Sequence, residues 1–231
     1  PDFKPYLYES KIEVLKDDYS QQVMQMAHQD MSELESVNLN GTYQGPLESI
    51  DQHPTPDWYR DAKLCIFYDW GPYSSAGNGT NGWRRARYPD WYLNRMYHPL
   101  ADYHDSTWGE DFHRDDFIPL FTAENFDADE MVRMVKMSGA KYIVPFNKHH
   151  DGFCLWDSKY TDYDVESSPV TTDVVDEVAK ACQKYGLKLG LYYSLWDRHE
   201  PSYKTLGYHD YMKNQLTELM TNYGEVCELW F

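Results

Sequence analysis

Two adjacent histidines, His149 and His150, stand directly after the apolar run Tyr142–Phe146, and Asp151, Gly152, Phe153 and Trp156 follow them. Imidazole changes charge closest to neutral pH of all side chains, and its neutral ring donates at one nitrogen and accepts at the other. A pair of them suits acid–base work, metal ligation or hydrogen bonding to hydroxyl groups. In parallel α/β sheets and barrels, catalytic groups sit where strands stop, on the loops leading into the next helix. The pattern therefore reads as a strand delivering chemistry at its C-terminal end. The competing reading is a surface turn with two solvated histidines, which has little use for the aromatic residues that follow.

Other apolar runs end in the same way. Lys63–Tyr68 leads into Asp69-Trp70-Gly71-Pro72-Tyr73, Leu187–Ser194 carries Tyr192 and Tyr193 and leads to Trp196 and Asp197, and Val226–Phe231 begins a fourth strand. Helical patterns separate them. Asp127-Ala-Asp-Glu130 has the form of a capping box before Met131, Val132, Met134 and Val135, with Gly139 as the stop. Val174, Val178 and Cys182 share a helix face closed by Gly186, and Tyr211, Met212, Leu216, Leu219, Met220 and Tyr223 share another closed by Gly224.

Helix then strand, three times at roughly forty-residue spacing, is the alternation of an α/β parallel sheet or a (β/α)8 TIM-type barrel. Four strands are visible, and a complete barrel takes about 250 residues and eight strands. Residues 56–231 are thus expected to be the first half of such a barrel, truncated at its fourth strand. Residues 1–55 are expected to form a helical extension, a helix from Tyr19 to Leu34 with Val23, Met26, Ala27, Met31 and Leu34 at helical spacing, and a connecting loop from Asn38 to Pro56. A chain that stops inside a strand leaves an apolar edge. It reads as a fragment, a truncated product or a protein completed by a partner, either the other half of the barrel or a second copy. Between Ser74 and Leu120 the periodicity is weak, and Trp83, Trp91 and Trp108 occur with Arg84, Arg85 and Arg87. So long a connection either folds over the active face or forms an excursion with its own small aromatic core.

Composition narrows the ligand. A net charge of -17 over 231 residues argues against a nucleic-acid partner. Aromatic residues make up 16% of the chain, with 8 Trp and 21 Tyr, and such rings offer flat apolar faces and polar edges suited to a neutral sugar. Cys65, Cys154, Cys182 and Cys227 show neither close pairing nor Cys-x-x-Cys spacing, so they read as reduced core residues. No apolar stretch is long enough to span a membrane, and no membrane partner is expected. Asn40-Gly-Thr42 and Asn78-Gly-Thr80 match the glycosylation pattern. Placement is left open among periplasmic, extracellular and lysosome-like compartments, with any signal peptide removed.

Three kinds of chemistry compete at the strand ends. Glycoside hydrolysis normally takes two carboxyl groups, for which Asp69, Asp151 and Asp197 are candidates. A two-histidine, one-carboxylate metal site using Asp69 is the second, although adjacent histidines lack the i, i+4 spacing of a helix-borne site. A serine hydrolase is disfavoured because no Gly-x-Ser-x-Gly turn occurs. Gly77-Asn-Gly-Thr-Asn-Gly82 lacks the Lys-Ser/Thr of a phosphate loop and reads as a turn. No cofactor and no metal are expected.

Lys148-His-His-Asp-Gly-Phe-Cys-Leu-Trp-Asp-Ser-Lys-Tyr-Thr161 resembles the signature of the α-L-fucosidases of glycoside hydrolase family twenty-nine. Phe121–Glu130, Ser138–Tyr142 and Gly186–Trp196 are similar to the same family, and the resemblance runs from about Pro56 to Phe231. It implies a (β/α)8 hydrolase that removes α-L-fucose from glycoconjugates by a retaining double displacement. It also implies that His149 and His150 bind fucose hydroxyls, that Tyr193 or alternatively Tyr192 lines the pocket, and that Trp91 of Asp90-Trp91-Tyr92 forms part of a sugar wall. Where the family has His-Trp-Gly this chain has Asp69-Trp70-Gly71, so either one sugar contact is lost there or Asp69 binds the same hydroxyl, with Trp70 beside it as a further substrate-binding candidate. The family's nucleophilic aspartate would follow Phe231. No catalytic residue is therefore expected within these residues, and the chain alone is expected to be inactive. A sugar-binding half-barrel without catalysis is the alternative.

Overall fold

The structure, a computed structural model, describes residues 31, 41–43, 47–76, 88–98 and 100–231. The expected helix from Tyr19 to Leu34 lies outside them except for Met31, and the turn at Gly77–Gly82 lies outside them altogether. Two short helices, α1 (Leu47–Ile50) and α2 (Asp57–Ala62), precede the sheet. Lys63 takes a positive φ of 59° and ends α2, which delays the first strand, β1, to Cys65–Tyr68. After α3 (Tyr73–Ala76) come α4 (Tyr92–Arg95), α5 (Ala101–Trp108) and two 3-10 turns. Then follow α6 (Ala128–Met137), β2 (Tyr142–Lys148), α7 (Val174–Tyr185), β3 (Lys188–Tyr193), α8 (Leu206–Asn222) and β4 (Val226–Trp230).

The four strands pair in sequence order, all parallel, with a helix at each of the last two crossovers. This is the expected α/β alternation. Its helices are closed by the residues the sequence offers for that purpose. The Asp127 carboxylate accepts the Glu130 amide at 2.9 Å and the Asp173 carboxylate accepts the Asp176 amide at 2.8 Å, each occupying a donor that a helix N-terminus leaves free. Gly186 ends α7 in the left-handed region at φ 61°, where a side chain would be strained.

Parallel strands covered on both faces alternate between two cores. Ile143, Leu189, Leu191 and Tyr193 face the helix layer and pack with Val132, Val135, Val174 and Val178. Fully burying one such aliphatic side chain contributes about 1.5–3 kcal/mol. Tyr142, Val144, Phe146 and Tyr192 face the opposite, inner side with Ala62. Phe67 and Trp230 also lie there, their rings 5.2 Å apart, and are 43% and 48% exposed.

The pairing is irregular in two places, between β3 and β4 at Leu189/Gly190 and between β2 and β3 at Phe146/Lys148, and the second determines the site. Phe146 aligns with Tyr192 but Lys148 aligns with Tyr193, so Asn147 is an extra residue in β2. Its side-chain oxygen accepts the Tyr192 amide at 3.1 Å, occupying the donor that the bulge would otherwise orphan. Lys148 is thereby turned into the helix layer. Its ammonium lies 2.6 Å from Asp197 and donates to Tyr193 Oη at 3.1 Å and Gln215 Oε1 at 3.0 Å, with both ends of the ion pair fully buried. Burial works against the ionised form of each partner. Their mutual attraction, with the His199 and Glu200 amides donating to Asp197, nevertheless holds the lysine above and the carboxyl below its usual range.

α8 departs from the sequence expectation. Its pattern reads as apolar on one face and polar on the other, yet Asn214, Gln215 and Glu218 are buried while Met220 is 42% exposed. Glu218 accepts from Trp156 Nε1 at 3.0 Å, Ser158 Oγ at 2.9 Å and the Lys159 amide at 3.1 Å, so the polar face of α8 binds the loop that follows β2. Among the described residues of the long connection and its flank, Tyr73, Tyr92, Leu93, Met96, Leu100 and Phe117 form a small core of their own. None of the four cysteines is paired.

Two stability measurements test this arrangement. Lys148→Met leaves Asp197 buried without its cation and is expected to cost about 3–5 kcal/mol in chemical denaturation, and Lys148→Met combined with Asp197→Asn to recover much of it. Equal losses in single and double variants would show that the ion pair does not couple β2 to the loop after β3. Gly152 has φ +91°, and a Cβ there would lie 2.4 Å from Asp197 Oδ1, whereas one on Gly109, φ +101°, would meet nothing within 4 Å. Gly152→Ala should therefore destabilise by clearly more than Gly109→Ala, which carries only the backbone strain of about 1 kcal/mol.

Candidate active site

With Lys148 facing the helices, His149 falls on the inner side of the sheet. Its ring stands 5.3 Å from Phe146 and 6.2 Å from Tyr192, stacked on the latter, and is met edge-on by Tyr73 at 5.5 Å. His150 lies alongside at 4.0 Å, walled by Trp91 at 4.9 Å and Trp196 at 5.0 Å, and these two indoles meet edge to face at 6.0 Å. The Arg198 amide donates to His150 O at 3.0 Å, so the loop held by Asp197 also fixes the histidine backbone.

Both imidazoles are kept neutral. Burial lowers His149 to about 3, with the neighbouring His150 adding to the effect, and lowers His150 to about 4, with Arg198 adding to it. For His150 the tautomer follows from its partner. Ser194 Oγ spends its single proton on Trp196 O at 2.9 Å, so at 2.6 Å it accepts from His150 Nδ1. Nε2 of that ring is left as an acceptor. His149 is 4% exposed and its Nδ1 has no hydrogen-bond partner among the described residues.

Two carboxyl groups join His149. Asp69, at the end of β1, and Asp90, in the 3-10 turn Pro89–Trp91, each bring an oxygen within 4.8 Å of the other and of a His149 nitrogen. Asp90 Oδ2 lies 3.6 Å from His149 Nε2. Tyr73 Oη donates to Asp69 Oδ1. Asp69 keeps an accessible edge, and the protein packed behind it pushes its carboxyl up to about 7. Desolvation also raises Asp90, against the pull of Arg95.

Several residues singled out from sequence lie elsewhere. Tyr192 stands with the histidines, whereas Tyr193, the preferred candidate, is fully buried on the helix side, where its hydroxyl donates to Gln215 at 2.8 Å. The bulge shifts β2 by one residue and leaves β3 unshifted, so the tyrosine paired with the inner side of β2 is the first of the two. Trp70 does not reach the histidines. It stacks on Phe126 at 5.2 Å and meets Phe121 at 4.8 Å, on the outer side of β1, beside a groove of about 700 Å³. Of the three candidate carboxyls only Asp69 is at the site, since Asp197 is committed to Lys148 and Asp151 is buried, with no partner for either side-chain oxygen among the described residues. Asp90 and Tyr73 were not singled out. The acid preceding Trp91 was the available signal for the first, and the short turn after Gly71 for the second.

Asp151 makes a pH-dependent contribution that can be isolated. Burial raises its carboxyl from 3.8 to about 7, with Arg114 opposing. The folded state therefore binds the proton more tightly than the unfolded state, so this contribution is full below about pH 4 and is lost as pH rises to about 7. Relative to Asp151→Asn, the parent chain is expected to lose on the order of 4 kcal/mol across that window, read from denaturation midpoints at successive pH. A constant difference between the two proteins would mean that Asp151 is ionised in the fold.

Comparison with known proteins bears on the family and the fold. A family model described as alpha-L-fucosidase matches residues 30–231. The alpha-L-fucosidase of Dictyostelium discoideum is 36% identical over 168 residues, covering 69% of this chain and 35% of that protein. Alpha-L-fucosidase 1 of Arabidopsis thaliana is 48% identical over 115 residues, covering 48% of this chain and 23% of its own length. Among solved structures, Thermotoga maritima alpha-fucosidase superposes with a TM-score of 0.72 at 37% identity, covering 81% of this chain and 49% of that one. The chain spans about half or less of the length of these relatives. On the family match over residues 30–231 and the shared α/β fold, this chain belongs to the alpha-L-fucosidase family.

Proposed function

We propose that the chain carries the sugar-recognition side of an α-L-fucoside hydrolase, with His149 and His150 as the principal hydroxyl-binding groups. The observation that supports this most strongly is two neutral imidazoles side by side at a strand end, His149 buried and His150 half-buried, walled by Trp91, Trp196 and Tyr192. A neutral imidazole both donates and accepts, as a sugar hydroxyl does, and indole and phenol rings cover the apolar face of a pyranose. Thermotoga maritima alpha-fucosidase has been solved in complex with fucose, at 36% identity and a TM-score of 0.69 to this chain.

The reaction we assign to the whole protein is retaining hydrolysis, in which one carboxylate attacks the anomeric carbon while a second carboxyl protonates the leaving oxygen. Asp69 and Asp90 do not suit those two roles, because both converge on one imidazole instead of flanking a gap. The nucleophile is therefore assigned to a residue following β4, and the 231 residues alone are assigned binding without turnover.

Titration of L-fucose into the purified chain tests the pocket. His149→Ala and His150→Ala are each expected to weaken binding by about 1–3 kcal/mol for the lost buried hydrogen bond. Unchanged affinity in both variants would remove the assignment. Assay with an aryl α-L-fucoside tests the division of labour: no turnover is expected, and rates comparable with full-length relatives would place the catalytic carboxyls within these residues.

A further inference from the structure

The pocket wall ends in a cation that the recognition of fucose leaves unused. Trp196 closes one side of the His150 ring and is 45% exposed, so its outer part faces solvent, where whatever is attached to the bound sugar must emerge. The Arg198 guanidinium lies over that indole, 5.5 Å from its centroid. Arg198 is exposed, and among the described residues its guanidinium has neither an ion pair nor a hydrogen bond. In a chain with 38 acidic residues against 21 basic ones, an exposed cation readily finds a carboxylate, as Arg60, Lys180 and Lys184 do with Asp57, Asp176 and Asp129.

Arg198 is also held from both sides. Its amide donates to His150 O at 3.0 Å and its carbonyl accepts from Arg114 Nη1 at 2.8 Å, while the preceding Asp197 is locked in the buried pair with Lys148. A guanidinium on a fixed backbone, stacked against a ring, loses little freedom when it receives a ligand.

Charge is divided across the site. Asp69 and Asp90 converge on His149, and Arg95, stacked on Trp91 at 4.6 Å, has its charge set against Asp90. On the other side, the charge that bears on His150 is the cation of Arg198, which opposes protonation of the ring. A ligand that spans the two histidines and runs out over Trp196 therefore passes from an acidic end to a basic one.

We propose that Arg198, seated on Trp196, is a specificity-determining residue that receives an anionic group, a carboxylate or a sulfate ester, carried by the sugar next to fucose in the substrate. The inference rests on the fucose reading of His149 and His150. A planar guanidinium fork matches either oxyanion, and a neutral neighbouring sugar leaves it unpaired.

The test is calorimetric titration of the chain with L-fucose, with a neutral α-L-fucosyl disaccharide, and with the same disaccharide bearing a carboxylate or a sulfate ester on its second sugar. The quantity read is the affinity for each charged disaccharide relative to the neutral one, compared between the parent and Arg198→Gln. Repulsion of anions by the acidic chain as a whole bears on both proteins nearly alike and drops out of that comparison. The ratio is expected to be at least about threefold higher in the parent for one or both charged probes, with Arg198→Lys in between, and the larger ratio identifies the group. Arg60→Gln, at an exposed arginine paired with Asp57, should keep the parent's ratio. Equal ratios in the parent and Arg198→Gln, with L-fucose bound by both, overturn the anion subsite and leave the fucose reading standing. A folded parent chain that binds none of these probes, L-fucose included, rejects both.

Discussion

The hydrogen bond from the Tyr192 amide to the Asn147 side chain fixes the parity of β2, and with it the direction of everything that follows. Without the extra residue, strict alternation would turn Lys148 toward the inner face and His149 into the helix layer. With it, the cation enters a pocket of tyrosines, Gln215 and Asp197, and the imidazole meets Phe146, Tyr192 and the two carboxyls. A bulge beside a functional site that re-aims one side chain is a recurrent device of sheets. Here it re-aims two, in opposite directions.

Lys148 and His149 thus solve opposite electrostatic problems with the same burial. Removing a charge from water is costly unless a partner stands close, so the lysine stays charged only because Asp197 and the surrounding hydroxyls receive it. For the histidines desolvation outweighs the neighbouring Asp90, 3.6 Å from His149, and they stay neutral. The division places a permanent ion pair behind the sheet and a pair of neutral, hydrogen-bonding imidazoles in front of it. These imidazoles suit a neutral polyhydroxylated ligand even though the chain as a whole is strongly acidic.

Much of this was legible in the sequence. The helices that start at Asp127 and Asp173 and the chain turn at Gly186 rest on local chemistry, and local chemistry can be read residue by residue. The histidine pair stood out because its residue types and its place after an apolar run both pointed the same way. The choice between Tyr192 and Tyr193 depends on a register shift in the neighbouring strand, which period-two reasoning does not contain. Trp70 was misplaced because a residue just past a strand end can turn to either side of the sheet. The polar face of α8 reads as solvent-facing until the Trp156 loop is seen to use Glu218 as its acceptor. Asp90 reaches the site through a segment whose short helices pack on a core of their own, and that packing leaves no periodic signal.

The attachment of the loop to α8 has a kinetic consequence. Trp156, Ser158 and Lys159 bond to a glutamate that enters the chain about sixty residues later. The loop after the histidines has turns of its own, held by bonds such as Cys154 N to Tyr163 O and Ser158 N to Asp164, but its Trp156–Lys159 stretch is anchored only when a distant helix arrives. Its opening in the folded protein is tied to that helix in the same way, so the Lys159 amide should exchange with solvent at the rate of α8 undocking rather than at the rate of a free loop.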